Sequence, residues 1–206
     1  MTINRAIIQQ MLLNAAHVME KNADYLSDID SRFGDGDHGV TIKKIARLIQ
    51  ERVPNWNKES IPVFFNELGT ATMEVKGGSA GPLYGTMISG LGALLKEEES
   101  ELNADGVKRM LQGSLEEMRT ITKAKVGDKT MMDALIPAVE AAQNAQGDVL
   151  EIWQAAAAAA EEGAKASEQY IAMFGRARSY KEQTIGTPDA GAVSTSLFIR
   201  GLAGGI

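Results

Sequence analysis

Asp30-Ser31-Arg32-Phe33-Gly34-Asp35-Gly36-Asp37-His38-Gly39 is the stretch whose reading decides the fold. From Gly34 onward it matches Gly-x-Gly-x-x-Gly, which after a β-strand would mark a dinucleotide-binding α/β protein. No strand pattern precedes it. Residues 3–20 instead carry Ile7, Ile8, Met11, Leu12, Ala15, Ala16 and Met19 at three- and four-residue spacing, the period of an amphipathic helix. Two aspartates at the variable positions would also repel a bare pyrophosphate. The stretch itself suits neither regular element, because glycine costs a helix about 1 kcal/mol relative to alanine and Asp and Gly are depleted in strands. It reads as an acidic loop between helices.

What the loop offers is Asp-x4-Asp-x-Asp, namely Asp30, Asp35 and Asp37. Three like charges this close repel one another, and a hard cation relieves the repulsion. Mg²⁺ takes carboxylate, phosphate and water oxygens, so a metal held here can carry a nucleotide phosphate. The competing reading is a turn cluster in which Asp35 and Asp37 cap the following helix at its positive end. The two readings can coexist. An EF-hand is excluded, because the twelfth position from Asp35 is Ala46 and not Glu. His38 either neighbours the phosphates and carboxylates or orients the loop; no nucleophile pairs with it, so it is not assigned as a general base.

Outward from the loop the pattern stays helical. Val40 to Val53 forms a second helix closed by Pro54, and a third starts at Ser60-Ile61-Pro62 and runs to Val75. Lys76-Gly77-Gly78-Ser79-Ala80-Gly81-Pro82 breaks it, with Pro82 in the first turn of a fourth helix that turns Leu83, Met87, Ile88, Leu91, Leu94 and Leu95 inward. A glycine turn opening a helix presents backbone N–H groups to an anion, or is simply a turn between helices. Asn103 caps a fifth helix whose inward residues reach Ile121. A polar loop from Lys123 to Lys129 leads to a sixth helix around Met131 to Val139. Within that loop Gly127-Asp128-Lys129-Thr130 matches the end of a P-loop, but the upstream glycine and the strand are missing. Asp148 and Glu151 have capping-box spacing for a seventh helix reaching about Ile171, whose alanine run from 155 to 160 suits a close helix contact. Phe174 to Gly191 is a long loop bearing Arg176, and Ala192 to Leu202 an eighth helix. The expectation is one all-α domain over residues 1–206, a bundle of about eight antiparallel amphipathic helices.

Composition bounds the function. A net charge of −6 argues against general nucleic-acid binding, which needs a basic surface. No apolar run is long enough to span a membrane, and no signal peptide is visible in the first 20 residues. The absence of cysteine excludes disulfides, thiolate nucleophiles and Cys-based zinc sites, and is compatible with a reducing compartment. The expected location is cytoplasmic.

Five motifs in this order resemble the L subunit of dihydroxyacetone kinase: Gly34–Gly39, Gly77–Thr86, Gly127–Met131, Gly175-Arg176-Ala177 and Ile185–Ala192. The resemblance covers the whole chain. It implies a barrel of eight antiparallel helices with the nucleotide, ADP or ATP, held in loops at one end. It implies that Asp30, Asp35 and Asp37 hold two Mg²⁺ ions, and that His38, Gly39, Val40, Thr41, Ser79 and Ala80 lie against the phosphates. Thr122, Met131, Arg176, Asp189, Ala190 and Gly191 would complete the site. It further implies phosphoryl transfer to dihydroxyacetone or a related ketose such as erythrulose, held by a separate K-type subunit. A phosphotransferase-system M-type phosphocarrier is a further implied partner, and a transcriptional regulator is the partner in a non-catalytic alternative. The chain departs from the family's usual pattern at Thr41 and in the run Arg178-Ser179-Tyr180-Lys181-Glu182-Gln183.

Overall fold

The computed structural model describes residues 1–206. Its helices are α1 (Arg5–Lys21), α2 (Ala23–Asp30), α3 (His38–Arg52), α4 (Ile61–Met73), α5 (Ala80–Ala93), α6 (Ala104–Ile121), α7 (Met132–Asn144), α8 (Val149–Ala166) and α9 (Ala190–Ala203). Eight of them close a ring. α1 packs on α3, α3 on α4, and each later helix on the next, until α9 returns to α1. The interior of the ring is one cluster of 49 buried residues. Each large member, such as Leu12 or Phe65, stabilises by roughly 1.5–3 kcal/mol before chain entropy is set against it.

Helix α2 is the element that periodicity does not reveal. It packs on α3 and α9, and only Ala23, Leu26 and Ile29 of its eight residues are buried. Three apolar positions are too few to stand out from a loop. The first helix starts at Arg5 rather than at residue 3, because Ile3–Asn4 (β1) pairs antiparallel with Glu101–Leu102 (β2). Asn4 ends that extended segment by accepting the Ile7 N–H at 3.2 Å. Two-residue strands carry no readable period.

Caps set most other boundaries as expected. The Asn103 side chain accepts from Gly106 N–H at 3.0 Å, and Asp148 with Glu151 forms a complete capping box. Ala156, Ala160 and Ala164 make a buried stripe on α8, spaced four apart, where it packs between α7 and α9. Helix α8 ends at Ala166 and not near Ile171, because a 3-10 turn at Ser167–Gln169 redirects the chain. Leu94 and Ile121, expected inward, are exposed, since each stands where its helix ends. Arg176–Thr184, expected as loop, is 3-10 turn with a break at Lys181.

The up-and-down order brings the amino termini of α3, α5, α7 and α9 to one end of the barrel. His38, Ala80, Met132 and Ala190, one from each, line a common cavity. Four helix dipoles thus present their positive ends to one space.

Candidate metal centre and its cavity

The cavity has a volume of about 660 Å³. Its walls are the acidic loop, the glycine turn before α5, the segment from Thr122 to Met132, and the stretch from Phe174 to Gly191. These are the segments that the sequence marks as loops, and the ring of helices is what collects them.

Asp30 is the last residue of α2. The carboxyl end of a helix is its negative end, so an acid placed there needs a compensating charge. The turn that follows is tight: the Gly34 N–H donates to the Asp30 carbonyl at 2.7 Å, and any side chain on Gly34 would strike the Asp30 carboxylate. Gly36, at φ +73°, then reverses the chain in a conformation that favours glycine. As a result, one oxygen from each of Asp30, Asp35 and Asp37 falls within 4.8 Å of the others. Asp37 occupies the N-cap position of α3 yet makes no side-chain cap bond. Its carboxylate instead faces Gly78 of the glycine turn. Asp30 Oδ2 is buried and has no hydrogen-bond partner. An all-oxygen donor set with one orphaned buried carboxylate oxygen fits a hard divalent cation such as Mg²⁺.

The 174–191 stretch reaches this loop at three points. The Arg176 guanidinium pairs with Asp35 and holds that carboxyl below the usual carboxylate range. Tyr180 packs on Phe33 with ring centroids 5.2 Å apart and planes tilted by 58°. Arg32 donates to Thr187 Oγ1 at 3.3 Å.

His38 lines the cavity and is tied to α9. Its Nε2 lies 2.9 Å from Ser194 Oγ, and Ser194 in turn donates to the Gly191 carbonyl at 3.1 Å. Burial pushes the imidazole pKa down, against the pull of Asp30 and Asp37. The residue orients the loop against α9.

Of the remaining residues singled out in the sequence, Ser79, Ala80, Thr122, Met131, Asp189, Ala190 and Gly191 all line the cavity. Asp189 caps α9, accepting the Ala192 N–H at 2.8 Å. Gly39, Val40 and Thr41 do not line it. Gly39 packs against the backbone of Ala23, Val40 points outward at 52% exposure, and buried Thr41 donates to the Asp37 carbonyl at 3.1 Å. Two lining residues escape a reading by sequence. Tyr84 is buried with an unpartnered hydroxyl, and burial raises its pKa to about 12. Lys129 is a buried cation inside the motif set aside as an incomplete P-loop.

The model of the DAK2 domain matches residues 32–204. The chain is 32% identical to the "PEP-dependent dihydroxyacetone kinase 2, ADP-binding subunit DhaL" of Listeria innocua, over 97% of this chain and 94% of that one. It is 32% identical to the L-erythrulose kinase of Pectobacterium atrosepticum over 91% of its own length, which is 32% of that protein. The native crystal structure of the C. freundii dihydroxyacetone kinase superposes with a TM-score of 0.73 at 26% identity, covering 97% of this chain and 34% of that one.

Proposed function

Because the chain belongs to the DAK2-domain family, we propose that residues 1–206 form a single L-type, nucleotide-binding domain of a dihydroxyacetone kinase. It binds ADP or ATP through Mg²⁺, two ions in all, held by Asp30, Asp35 and Asp37. The observation that carries this reading is the carboxylate triad within 4.8 Å, with its orphaned Asp30 oxygen, set among four helix amino termini. Carboxylates alone repel phosphate and N–H groups alone attract it, so the combination suits a metal-bridged polyphosphate.

Mg²⁺, when bound, would offset the phosphate charge and polarise the group being transferred. The chain's own residues do the rest. The free amides at the starts of α3 and α5, at His38 and at Ser79 and Ala80, donate to phosphate oxygens. Arg176 stands at the mouth, within reach of the charge that develops during transfer. Thr122, Met131 and the Asp189–Gly191 turn hold the nucleoside end. No acid or base of this chain acts on an acceptor hydroxyl: His38 is committed to Ser194.

The acceptor is then dihydroxyacetone or a related short ketose carried by a K-type subunit, and the chain is a kinase only in that company. Likeness to a subunit named as ADP-binding and PEP-dependent favours a retained ADP that an M-type phosphocarrier of the phosphotransferase system rephosphorylates. The likeness to an erythrulose kinase supports a second reading of the acceptor only, since the ketose is chosen by the partner. A cytoplasmic location accords with a kinase subunit of this kind.

The experiment mixes the chain with a K-type subunit and dihydroxyacetone or erythrulose, supplying ATP or a phosphoenolpyruvate relay in separate arms. Turnover that requires the chain and Mg²⁺ is the expected result. No turnover in any arm, with ADP-dependent binding to a transcriptional regulator, would replace the kinase reading with a sensing role.

A further inference from the structure

Lys129 is a cation with no assigned work. It is 5% exposed, its backbone sits at φ +60°, and it borders the cavity. A left-handed lysine is uncommon and costs energy unless surrounding contacts hold it there. Those contacts are specific. Nζ donates to the Ser167 carbonyl at 2.6 Å and to the Thr187 carbonyl at 2.5 Å, joining three segments that are far apart in sequence.

The joined turn matters for the site. Pro188 has no N–H, so Thr187 to Asp189 has few ways to hold itself. The Asp189 N–H donates to Ser167 Oγ at 2.9 Å, and the Thr187 carbonyl accepts from Lys129. With the Arg32 bond to Thr187 Oγ1 at 3.3 Å and the Gly186 N–H bond to the Glu168 carbonyl at 2.7 Å, these two bonds hold the turn that delivers Asp189, Ala190 and Gly191 to the cavity wall. On its other side, the Lys129 backbone leads directly into Met131 at the start of α7. The charges that act on Lys129 are Asp189, Asp133 and Glu168. Its ammonium reaches the 187–189 turn from the side of α7 and α8, while Arg32 of the acidic loop reaches the same turn through Thr187 Oγ1 at 3.3 Å.

We propose that Lys129 is a positioning residue for the nucleoside half of the ligand: its ammonium staples the 187–189 turn to the end of α8 and so sets the wall that receives the base and ribose. The inference rests on the nucleotide reading given above and deepens it. It makes Lys129 and Ser167 matter for ADP and not for a polyphosphate that lacks the nucleoside.

The test is calorimetric titration of wild type, Lys129→Met and Ser167→Ala with Mg-ADP and, separately, with Mg-pyrophosphate. Both variants are expected to bind Mg-ADP about tenfold more weakly, the scale of leaving buried partners unpaired, with Mg-pyrophosphate binding unchanged. Melting of the unliganded proteins reports whether each variant is folded, and Lys129→Gln, which keeps a shorter donor and removes the charge, takes the place of Lys129→Met if that variant is not. Ser167→Ala tests the Asp189 N–H anchor of the same turn. Undiminished Mg-ADP binding, or equal loss of both ligands, overturns the assignment. Wild type that binds Mg-pyrophosphate but not Mg-ADP overturns the nucleotide reading itself, and this inference with it.

Discussion

Arg176 and Asp35 face each other across the mouth of the cavity and form an ion pair. The pair joins the 3-10 turn of the 174–191 stretch to the acidic loop. Both partners are substantially exposed, with side-chain accessibilities of 66% and 46%, so solvent screens the attraction and the pair contributes little to stability. Its value lies in what Arg176 can do when phosphate is near. Arg176→Gln should leave the melting temperature of the free protein unchanged while weakening Mg-ADP binding and depressing turnover with the K subunit. Calorimetry beside a thermal melt checks this; a large loss of stability with intact affinity would make the pair structural.

Tyr180 lies in the 3-10 turn Arg176–Thr184, and its ring packs on Phe33. Such a pair contributes about 0.5–1.5 kcal/mol beyond area burial. Tyr180→Ala should therefore loosen residues 176–184 without unfolding the barrel. Hydrogen exchange should accelerate in that turn and stay unchanged in α4 and α5. Uniform acceleration would show that the contact holds more than the turn.

Asp189 gives a pH dependence of unusual sign. Burial is the main cause that pushes its carboxyl from 3.8 up to about 7, with a further push from Asp133 against the pull of Lys129 and the Ala192 N–H. An acid with a raised folded pKa holds its proton more tightly when folded. Its contribution to stability is full below about pH 4 and is lost as pH rises toward 7, with a slope of at most about 1.4 kcal/mol per pH unit. Asp189→Asn keeps an oxygen for the Ala192 N–H and removes the titration. The variant should gain stability relative to wild type between pH 4 and 7, a difference that urea melts across that range will read. A constant difference would mean that Asp189 does not titrate there.

Asp148 serves as a control far from the cavity. Its carboxylate accepts the Leu150 and Glu151 N–H groups at 2.9 and 3.1 Å. Removing an N-cap of this kind costs about 1 kcal/mol. Asp148→Ala should lower the melting temperature and leave Mg-ADP affinity untouched.

The barrel and the acidic loop were legible because their signals are local. Long amphipathic helices repeat their apolar face over several turns, and Asp-x4-Asp-x-Asp lies within one short stretch. Helix α2 was not legible, since eight residues with three buried side chains look like loop. Its absence hid the reason Asp30 is unusual, a carboxylate at the negative end of a helix. Lys129 was hidden differently. Its role depends on carbonyl groups of Ser167 and Thr187, which bear no side-chain signature and meet it only in the folded chain. Gly39 and Thr41 show the converse. They sit in a motif that marks the site, yet one packs on Ala23 and the other braces Asp37.

The central claim is that the three carboxylates hold the cation through which the nucleotide binds. The most direct measurement is calorimetric titration of ADP into wild type and Asp37→Asn, with Mg²⁺ and again with EDTA. Asn preserves the size of the side chain and removes only its charge. Saturable binding by wild type with Mg²⁺, lost both in EDTA and in folded Asp37→Asn, is the predicted result. ADP affinity retained by Asp37→Asn, or by wild type in EDTA, would contradict it.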